Sequence, residues 1–158
     1  MEIHTIAPVF DENSEILILG SFPSVKSREV KFFYGHPQNR FWKVMSAVFG
    51  DDPGTTIESK TEFLKINKVA LWDVIASCDI NSSSDSSIKN VTANDLSLIL
   101  QTARIKRIYT NGKTSDKLYA KYLEDKTGIK AINLPSTSPA NASWSLEKLI
   151  QEWKKITG

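Results

Sequence analysis

Ile16-Leu17-Ile18-Leu19-Gly20 is the stretch that decides the fold. Its four aliphatic residues follow one another without a polar interruption, which is typical of a strand that is buried on both faces. Gly20 ends this run, and Ser21-Phe22-Pro23-Ser24 follows as a loop at the carboxyl end of the strand. Open α/β sheets bind their ligands at this end. We therefore predict a central parallel strand whose C-terminal loop forms part of a binding site.

Three other apolar runs predict strands, and five amphipathic stretches predict helices. The strands are predicted at 69–74, 105–109 and 131–134, and four of the helices at 39–48, 57–66, 113–123 and 145–156. A capping box at Thr92-Ala93-Asn94-Asp95 predicts the start of the remaining helix, which ends at Ala103, and the serine-rich segment 77–90 is predicted to be a polar loop. Alternating strands and helices predict an α/β fold with a parallel sheet covered on both faces.

The length and composition indicate one globular domain, residues 1–158. Hydrophobic residues at 41% and charged residues at 24% do not suggest disorder, and no apolar run is long enough to span a membrane. The N-terminus lacks the features of a signal peptide, so we expect a cytoplasmic protein. Cys78 is the only cysteine, which excludes an internal disulfide; with only two histidines beside it, we expect no metal and no cofactor. We also expect a monomer.

Basic residues collect in two segments of the chain. Residues 26–43 contain five Lys or Arg and one acid, and residues 104–130 contain eight Lys or Arg and three acids. These segments suit contact with a phosphate backbone if the fold places them on one face. Ordinary solvated helix faces explain the same charges equally well.

The segment Phe32-Phe33-Tyr34-Gly35-His36-Pro37-Gln38-Asn39-Arg40-Phe41-Trp42 combines aromatic residues with a histidine, an amide and an arginine. This mixture suits a site that stacks on a flat ring, orients a polar group and contacts an anion. Phe33 and Tyr34 lie where regular structure is not expected. They either cover a nucleobase, which contributes about 1–3 kcal/mol per stacked base, or close the end of the core.

Three other patterns have both a chemical and a structural interpretation. Gly112-Lys113-Thr114 resembles part of a phosphate-binding loop, but the glycine required five residues earlier is Arg107, so a tight turn with Thr114 or Ser115 as helix cap is the better interpretation. Cys78 and His36 would suit a cysteine hydrolase, although nothing activates the thiol. Asp73, at a strand end, either anchors a ligand or caps a helix, and we favour the pocket.

Three motifs together carry a family resemblance. Gly20-Ser21-Phe22-Pro23-Ser24, the run from Tyr34 to Val44, and Leu134-Pro135-Ser136-Thr137-Ser138-Pro139-Ala140-Asn141 resemble the uracil-DNA glycosylase superfamily, and within it the hypoxanthine-DNA (deoxyinosine) glycosylases, or family six. The resemblance extends from about Glu15 to the last helix. It implies a three-layer α/β/α sandwich with a four-stranded parallel sheet. It also implies an enzyme of base excision repair that extrudes a damaged nucleotide from DNA and hydrolyses its bond to deoxyribose.

The first motif departs from that of the strongest uracil enzymes. They carry an aspartate where this chain has Phe22, and a tyrosine that excludes larger bases where it has Ser24. The smaller side chain at position 24 makes room for a purine. The expected substrate is therefore DNA that contains deoxyinosine.

Cleavage of an N-glycosidic bond places positive charge on the sugar and negative charge on the base, so the protein must stabilise both and position a water molecule. The amide of Asn39 is the best candidate for holding that water, and the resemblance marks the same position as catalytic. An amide orients a water but does not deprotonate it at neutral pH, so turnover should be slow.

The remaining site residues fall into two predicted groups. Phe22 and Tyr34 are expected to stack on the base, and Asp73 to accept the N1–H of hypoxanthine, a proton that adenine lacks. The whole base pocket is predicted to consist of Ser21, Phe22, Ser24, Phe33, Tyr34 and Asp73. The residues predicted to contact DNA are Lys113, Ser136, Thr137, Ser138, Pro139 and Asn141.

Two other functions fit the same residues. One is a glycosylase of the same superfamily that acts on uracil or on a mismatched pyrimidine. The other is a nucleic-acid-binding module without catalytic activity, in which the aromatic and basic residues only hold DNA.

Overall fold

The computed structural model describes residues 1–158 and contains two β-sheets and seven α-helices. The strands are β1 Glu2–Ile3, β2 Ile16–Gly20, β3 Val69–Asp73, β4 Ile75–Asp79, β5 Lys89–Ala93, β6 Arg107–Asn111 and β7 Ala131–Leu134. The helices are α1 Val25–Val30, α2 Phe41–Phe49, α3 Ile57–Ile66, α4 Ser97–Thr102, α5 Lys113–Tyr122, α6 Glu124–Thr127 and α7 Leu146–Trp153. None of the helices has the length and apolarity that crossing a membrane requires.

The larger sheet has four parallel strands in the order β3-β2-β6-β7. Ile16 pairs with Val69 on one side and with Arg107 on the other, so β2 lies in the interior of the sheet. All five residues of β2 are buried. The prediction of a central parallel strand at the Ile16–Leu19 run is confirmed.

The two faces of β2 pack against different layers of helices. Ile16 and Ile18 belong to a core formed with α2, α3 and α7, whereas Leu17 and Leu19 belong to a second core formed with α4 and α5. This division follows from the period of two along a strand, which points successive side chains to opposite faces. The predicted three-layer α/β/α sandwich is confirmed.

A second, antiparallel sheet lies beside the sandwich, with strand order β1-β4-β5. The prediction of a loop over 77–90 is wrong, because β4 and β5 occupy both ends of that segment. Register irregularities between Ile75 and Asp79 interrupt the pairing of these strands. Such bulges break the regular alternation by which a half-buried strand is recognised in a sequence.

The predicted capping box at 92–95 is also absent. Thr92 and Ala93 belong to β5, and α4 begins at Ser97. Buried Asn94 donates from Nδ2 to the carbonyl oxygens of Asp73 and Ile75, at 2.9 and 3.1 Å, so it fastens the end of β3 to β4. An amide in this sequence position therefore serves a contact between strands rather than a helix start.

The turn between β6 and α5 depends on Gly112, as predicted. Its φ of +93° is a conformation that residues with a Cβ rarely adopt. The helix cap predicted at Thr114 or Ser115 is wrong, because Ser115 Oγ donates back to the carbonyl oxygens of Asn111 and Gly112. In α7, Leu149 and Trp153 are buried, whereas Leu146 is 37% exposed.

Candidate active site

A cavity of about 540 Å³ lies at the carboxyl ends of the parallel strands. Gly20 ends β2, Asp73 ends β3, Asn111 ends β6, and Ser136 follows β7, so all four strands contribute to its wall. Eleven of the thirteen predicted site residues line this cavity: Ser21, Phe22, Ser24, Phe33, Tyr34, Asn39, Asp73, Ser136, Thr137, Ser138 and Pro139. Lys113 and Asn141 do not line it.

The carboxylate of Asp73 lies at the floor of the cavity and is almost entirely buried. Its Oδ2 accepts a hydrogen bond of 2.8 Å from Nε2 of His4, a residue that the sequence analysis did not assign to the site. Asp73 does not cap a helix, since β4 follows it after one residue. The structure therefore places Asp73 in the pocket.

Gly20 is required beneath this carboxylate. A Cβ at position 20 would overlap Oδ1 of Asp73 and would lie 3.0 Å from the hydroxyl oxygen of Tyr34. The end of β2 thus brings its backbone directly against two polar groups of the site.

Tyr34 is held in a strained backbone conformation, with φ of +52°. Its ring stacks on Phe41 at a centroid distance of 4.0 Å, and its hydroxyl is buried without a hydrogen-bond partner. Burial raises the pKa of the Tyr34 hydroxyl, and the negative charge of Asp73 raises it further. The hydroxyl therefore keeps its proton and is a hydrogen-bond donor.

Phe22 and Phe33 face the cavity with only small parts of their rings. Phe22 is 8% exposed, and the guanidinium of Arg28 lies 5.4 Å from the centroid of its ring. Phe33 is 2% exposed and packs edge-on against Phe32. Phe33 consequently contributes more to the core than to the cavity surface.

The side chain of Asn39 has a fixed orientation. Its Oδ1 accepts hydrogen bonds from the backbone N–H of Phe41 at 2.9 Å and from the hydroxyl of Thr137 at 2.8 Å. Asn111 holds Thr137 in turn, because its Nδ2 donates to Thr137 Oγ1 and its Oδ1 accepts from the Thr137 N–H. With both lone pairs of Oδ1 engaged, the free group of Asn39 is its Nδ2 donor.

Arg40 has a different role from the one its segment suggested. Its guanidinium donates to the carbonyl oxygens of Ser138, Asn141 and Trp144, so it holds the loop after β7 rather than an anion. The predicted DNA-contact residue Asn141 also braces this loop, since its Nδ2 donates to the carbonyl oxygen of Ser136 at 3.0 Å. Lys113 is exposed at the start of α5, outside the cavity.

The serine-rich segment forms the opposite wall. Asp85, which the sequence analysis missed, accepts a hydrogen bond of 3.2 Å from Ser21 Oγ. Its side chain is open to the cavity, but the surrounding protein removes enough water to raise its pKa. Ser83 Oγ accepts from the Val25 N–H, which fastens this wall to the start of α1.

Of the site residues that the sequence did not predict, Asn111 had a recognisable sequence signal and His4 had none. Asn111 follows the same rule as Asp73, because it is a polar residue at the carboxyl end of a parallel strand. His4 gives no such signal, since it lies 69 residues from its partner.

The alternative of a Cys78–His36 pair finds no support in the structure. Cys78 is fully buried in β4 and does not line the cavity, whereas His36 does. Burial raises the pKa of the Cys78 thiol, which disfavours the nucleophilic thiolate.

Comparison with known proteins agrees with the fold. The family model described as the uracil DNA glycosylase superfamily matches residues 7–156. A protein named hypoxanthine DNA glycosylase from Methanosarcina acetivorans is 35% identical over 150 residues, which cover 94% of this chain and 93% of the relative. A protein of the same name from Methanosarcina barkeri is 39% identical over 110 residues, 68% of this chain and 70% of the relative.

A solved structure gives the same result. The solution NMR structure of a Methanosarcina acetivorans protein proposed to be a uracil DNA glycosylase superposes with a TM-score of 0.80 at 32% identity, and the match covers 97% of both chains. The match to the superfamily model extends over nearly the whole chain, and the named relatives agree with it. This chain belongs to the uracil DNA glycosylase superfamily.

Proposed function

We propose that this chain is a monofunctional DNA glycosylase that extrudes deoxyinosine from DNA and releases hypoxanthine, leaving an abasic site. The observation that carries the proposal is one cavity, at the carboxyl ends of the parallel strands, that contains the Asn39 amide together with Phe22, Tyr34 and Asp73. The names of the two relatives support hypoxanthine as the base.

The reaction replaces the bond between C1′ and the base by a bond between C1′ and a water oxygen. The electrons of the broken bond leave with the base, which takes up a proton as the water loses one. Positive charge builds up on the sugar and negative charge on the base before the water bond is complete. A site for this reaction must hold the water close to C1′ and hold the base firmly.

Asn39 holds the water in this proposal. The free Nδ2 group donates to the water oxygen, while Oδ1 is committed to Phe41 and Thr137. An amide donor fixes the position of a water but does not remove its proton, so the rate gain comes from positioning. Thr137 is fully buried, and we therefore assign it to the support of Asn39 rather than to a phosphate.

The base lies between the aromatic residues and the floor. Phe22 and Tyr34 pack against the purine, Ser21 and Ser24 leave space for its two rings, and Oδ1 of Asp73 accepts the N1–H of hypoxanthine. Adenine has a lone pair at N1, which the carboxylate repels, so this contact discriminates against the normal base. Ser136, Ser138 and Pro139 line the cavity, and in this proposal they contact the DNA backbone.

A gel assay with end-labelled duplexes tests the proposal. Each duplex contains one deoxyinosine or one deoxyuridine, and alkali after incubation cleaves the strand at any abasic site. We expect cleavage at deoxyinosine with the wild-type chain. Cleavage at deoxyuridine alone would favour a uracil glycosylase, and binding without cleavage would favour a module that only holds DNA; either result would overturn the proposal.

A further inference from the structure

His4 is a buried histidine that packs against the floor of the cavity. Its side chain is 1% exposed, and the rings of Phe22, Phe33 and Trp72 surround it at centroid distances of 6.0, 6.3 and 6.1 Å. A polar ring enclosed by aromatic residues is costly unless its nitrogens form hydrogen bonds. Both nitrogens of His4 do so.

The two hydrogen bonds of His4 determine its tautomer. The backbone N–H of Ile6 donates to Nδ1 at 3.2 Å, so Nδ1 presents a lone pair. The ring hydrogen is therefore on Nε2, which donates it to Asp73 Oδ2 at 2.8 Å. This bond occupies one carboxylate oxygen and prevents rotation of the group, which leaves Oδ1 as the acceptor on the cavity side.

Oδ1 of Asp73 and the hydroxyl of Tyr34 both lie within about 3 Å of the position that a methyl group on Gly20 would occupy. His4 bonds to the other oxygen of Asp73, and the Tyr34 hydroxyl has no partner with hydrogen-bond geometry, although the Asn111 side chain lies close enough to lower the pKa of that hydroxyl. One atom is an acceptor and its neighbour is a donor. A buried hydroxyl without a partner is rare and destabilises the fold, which points to a partner that arrives with the substrate.

We propose that Asp73 Oδ1 and Tyr34 Oη recognise adjacent N–H and C=O groups of the extruded base, and that His4 is the positioning residue that orients Asp73 for this task. The inference rests on the proposed glycosylase function and assigns base recognition within it to these side chains. Hypoxanthine and xanthine present N1–H beside C6=O, and uracil presents N3–H beside C4=O. These are the products of deamination of adenine, guanine and cytosine.

The same pair of atoms rejects two normal bases. Adenine and cytosine present an unprotonated ring nitrogen beside an amino group, so a lone pair would face Asp73 Oδ1 and an N–H would face the Tyr34 hydroxyl. Guanine has the same N1–H and C6=O as hypoxanthine, and thymine has the same N3–H and C4=O as uracil, so these two side chains do not discriminate against either normal base.

Tyr34→Phe tests the hydroxyl, with Tyr109→Phe as the matched control. The Tyr109 hydroxyl donates to the carbonyl oxygen of Lys155, away from the cavity. We expect Tyr34→Phe to keep or raise the melting temperature, because it removes an unpartnered polar group, and to lower single-turnover excision of deoxyinosine by roughly 10-fold or more. Tyr109→Phe should lower the melting temperature and leave excision unchanged.

His4→Phe and His4→Gln test the positioning role. His4→Phe keeps an aromatic ring but removes the donor to Asp73, so excision should fall by roughly 10- to 100-fold, with the enzyme concentration for half-saturation of the DNA little changed. His4→Gln offers an amide donor in the place of Nε2 and should recover part of the loss. In an Asp73→Asn background, His4→Phe should have little further effect, because the two residues act as one unit.

The outcomes separate this inference from the proposed function. If the wild-type chain releases neither hypoxanthine nor uracil, the glycosylase proposal itself is wrong. If wild type is active and Tyr34→Phe is equally active, the Tyr34 hydroxyl does not contact the base, and the proposed recognition of the C=O group is wrong. If His4→Phe and Asp73→Asn have independent, additive effects on excision, His4 serves the fold alone.

Discussion

At the scale of single residues, the orientation of Asn39 is the feature that most limits the chemistry. A backbone N–H fixes which end of its amide is the oxygen, because the Phe41 N–H needs an acceptor. The same contact satisfies a free N–H at the start of α2, from the residue that precedes the N-cap Arg40. Asn39 therefore combines a structural bond through Oδ1 with a free donor at Nδ2.

Asn39→Ala should abolish most excision and leave DNA binding nearly intact, because it removes the donor that positions the water. It should also lower the free energy of unfolding by about 0.5–1.5 kcal/mol, because the Phe41 N–H loses its acceptor. Single-turnover rates, DNA affinity and thermal unfolding measure the three effects.

Thr56→Ala is the control for losing a side-chain acceptor of a backbone N–H at the start of a helix. Thr56 accepts from the Ser59 N–H at 3.0 Å at the start of α3, and it does not line the cavity. It should lower stability by a similar amount and leave excision unchanged. If Asn39→Ala retained full excision, the role of Asn39 would be limited to its structural hydrogen bonds.

At the scale of elements, the site depends on where β2 ends and on how closely its backbone approaches the neighbouring strand. Gly20 pairs with Asp73 in the parallel register, which places the two strand ends side by side. The absence of a side chain at Gly20 leaves the space that Asp73 Oδ1 and the Tyr34 hydroxyl occupy.

Gly20→Ala should displace both polar groups and reduce excision by roughly 10-fold or more, since overpacking of a filled site costs about 1–3 kcal/mol. Gly128→Ala is the control at a glycine with no neighbour for the added methyl group. Its φ is +71°, so alanine there should cost about 1–2 kcal/mol of stability by backbone strain without affecting excision. Equal excision by wild type and Gly20→Ala would contradict the close approach.

At the scale of the whole molecule, a second groove of about 490 Å³ adjoins the cavity, and Asp85 lines both. Lys89, Lys117 and Lys121 line this groove and are exposed. Lys117 and Lys121 belong to the basic segment 104–130, so the fold places two lysines of that segment on one surface. We expect the phosphate backbone of the substrate strand to pass along this groove.

A Lys117→Ala/Lys121→Ala double variant should weaken DNA binding for every sequence and reduce the slope of log affinity against log salt by roughly 1.8, or about 0.9 for each lost phosphate contact. Lys148 and Lys154 are exposed on and just after α7, which packs on the opposite face of the sheet. Their double alanine variant is the control and should bind nearly as wild type does. Equal salt slopes for both variants would place the DNA elsewhere.

The sequence by itself determined the parallel sheet and was sufficient to predict most residues of the candidate site. Ile16–Leu19 and the other apolar runs specify strands by local pattern, and parallel strands bring their C-terminal loops to one edge for geometric reasons. Asp73 and the 135–141 loop could therefore be assigned to one site without any knowledge of their contacts. The antiparallel sheet was not predicted, because its strands are short, partly exposed and irregular in register.

Only the tertiary structure decided what the side chains do within that site. The bond between His4 and Asp73 joins residues 69 positions apart, and the bond that helps to orient Asn39 reaches Thr137, 98 positions away. Local periodicity indicates where a strand or helix forms, but it does not indicate which side chains distant in sequence come into contact in the folded protein. The acceptor at Asp73, the free donor at Asn39 and the unpartnered hydroxyl of Tyr34 all result from such distant contacts.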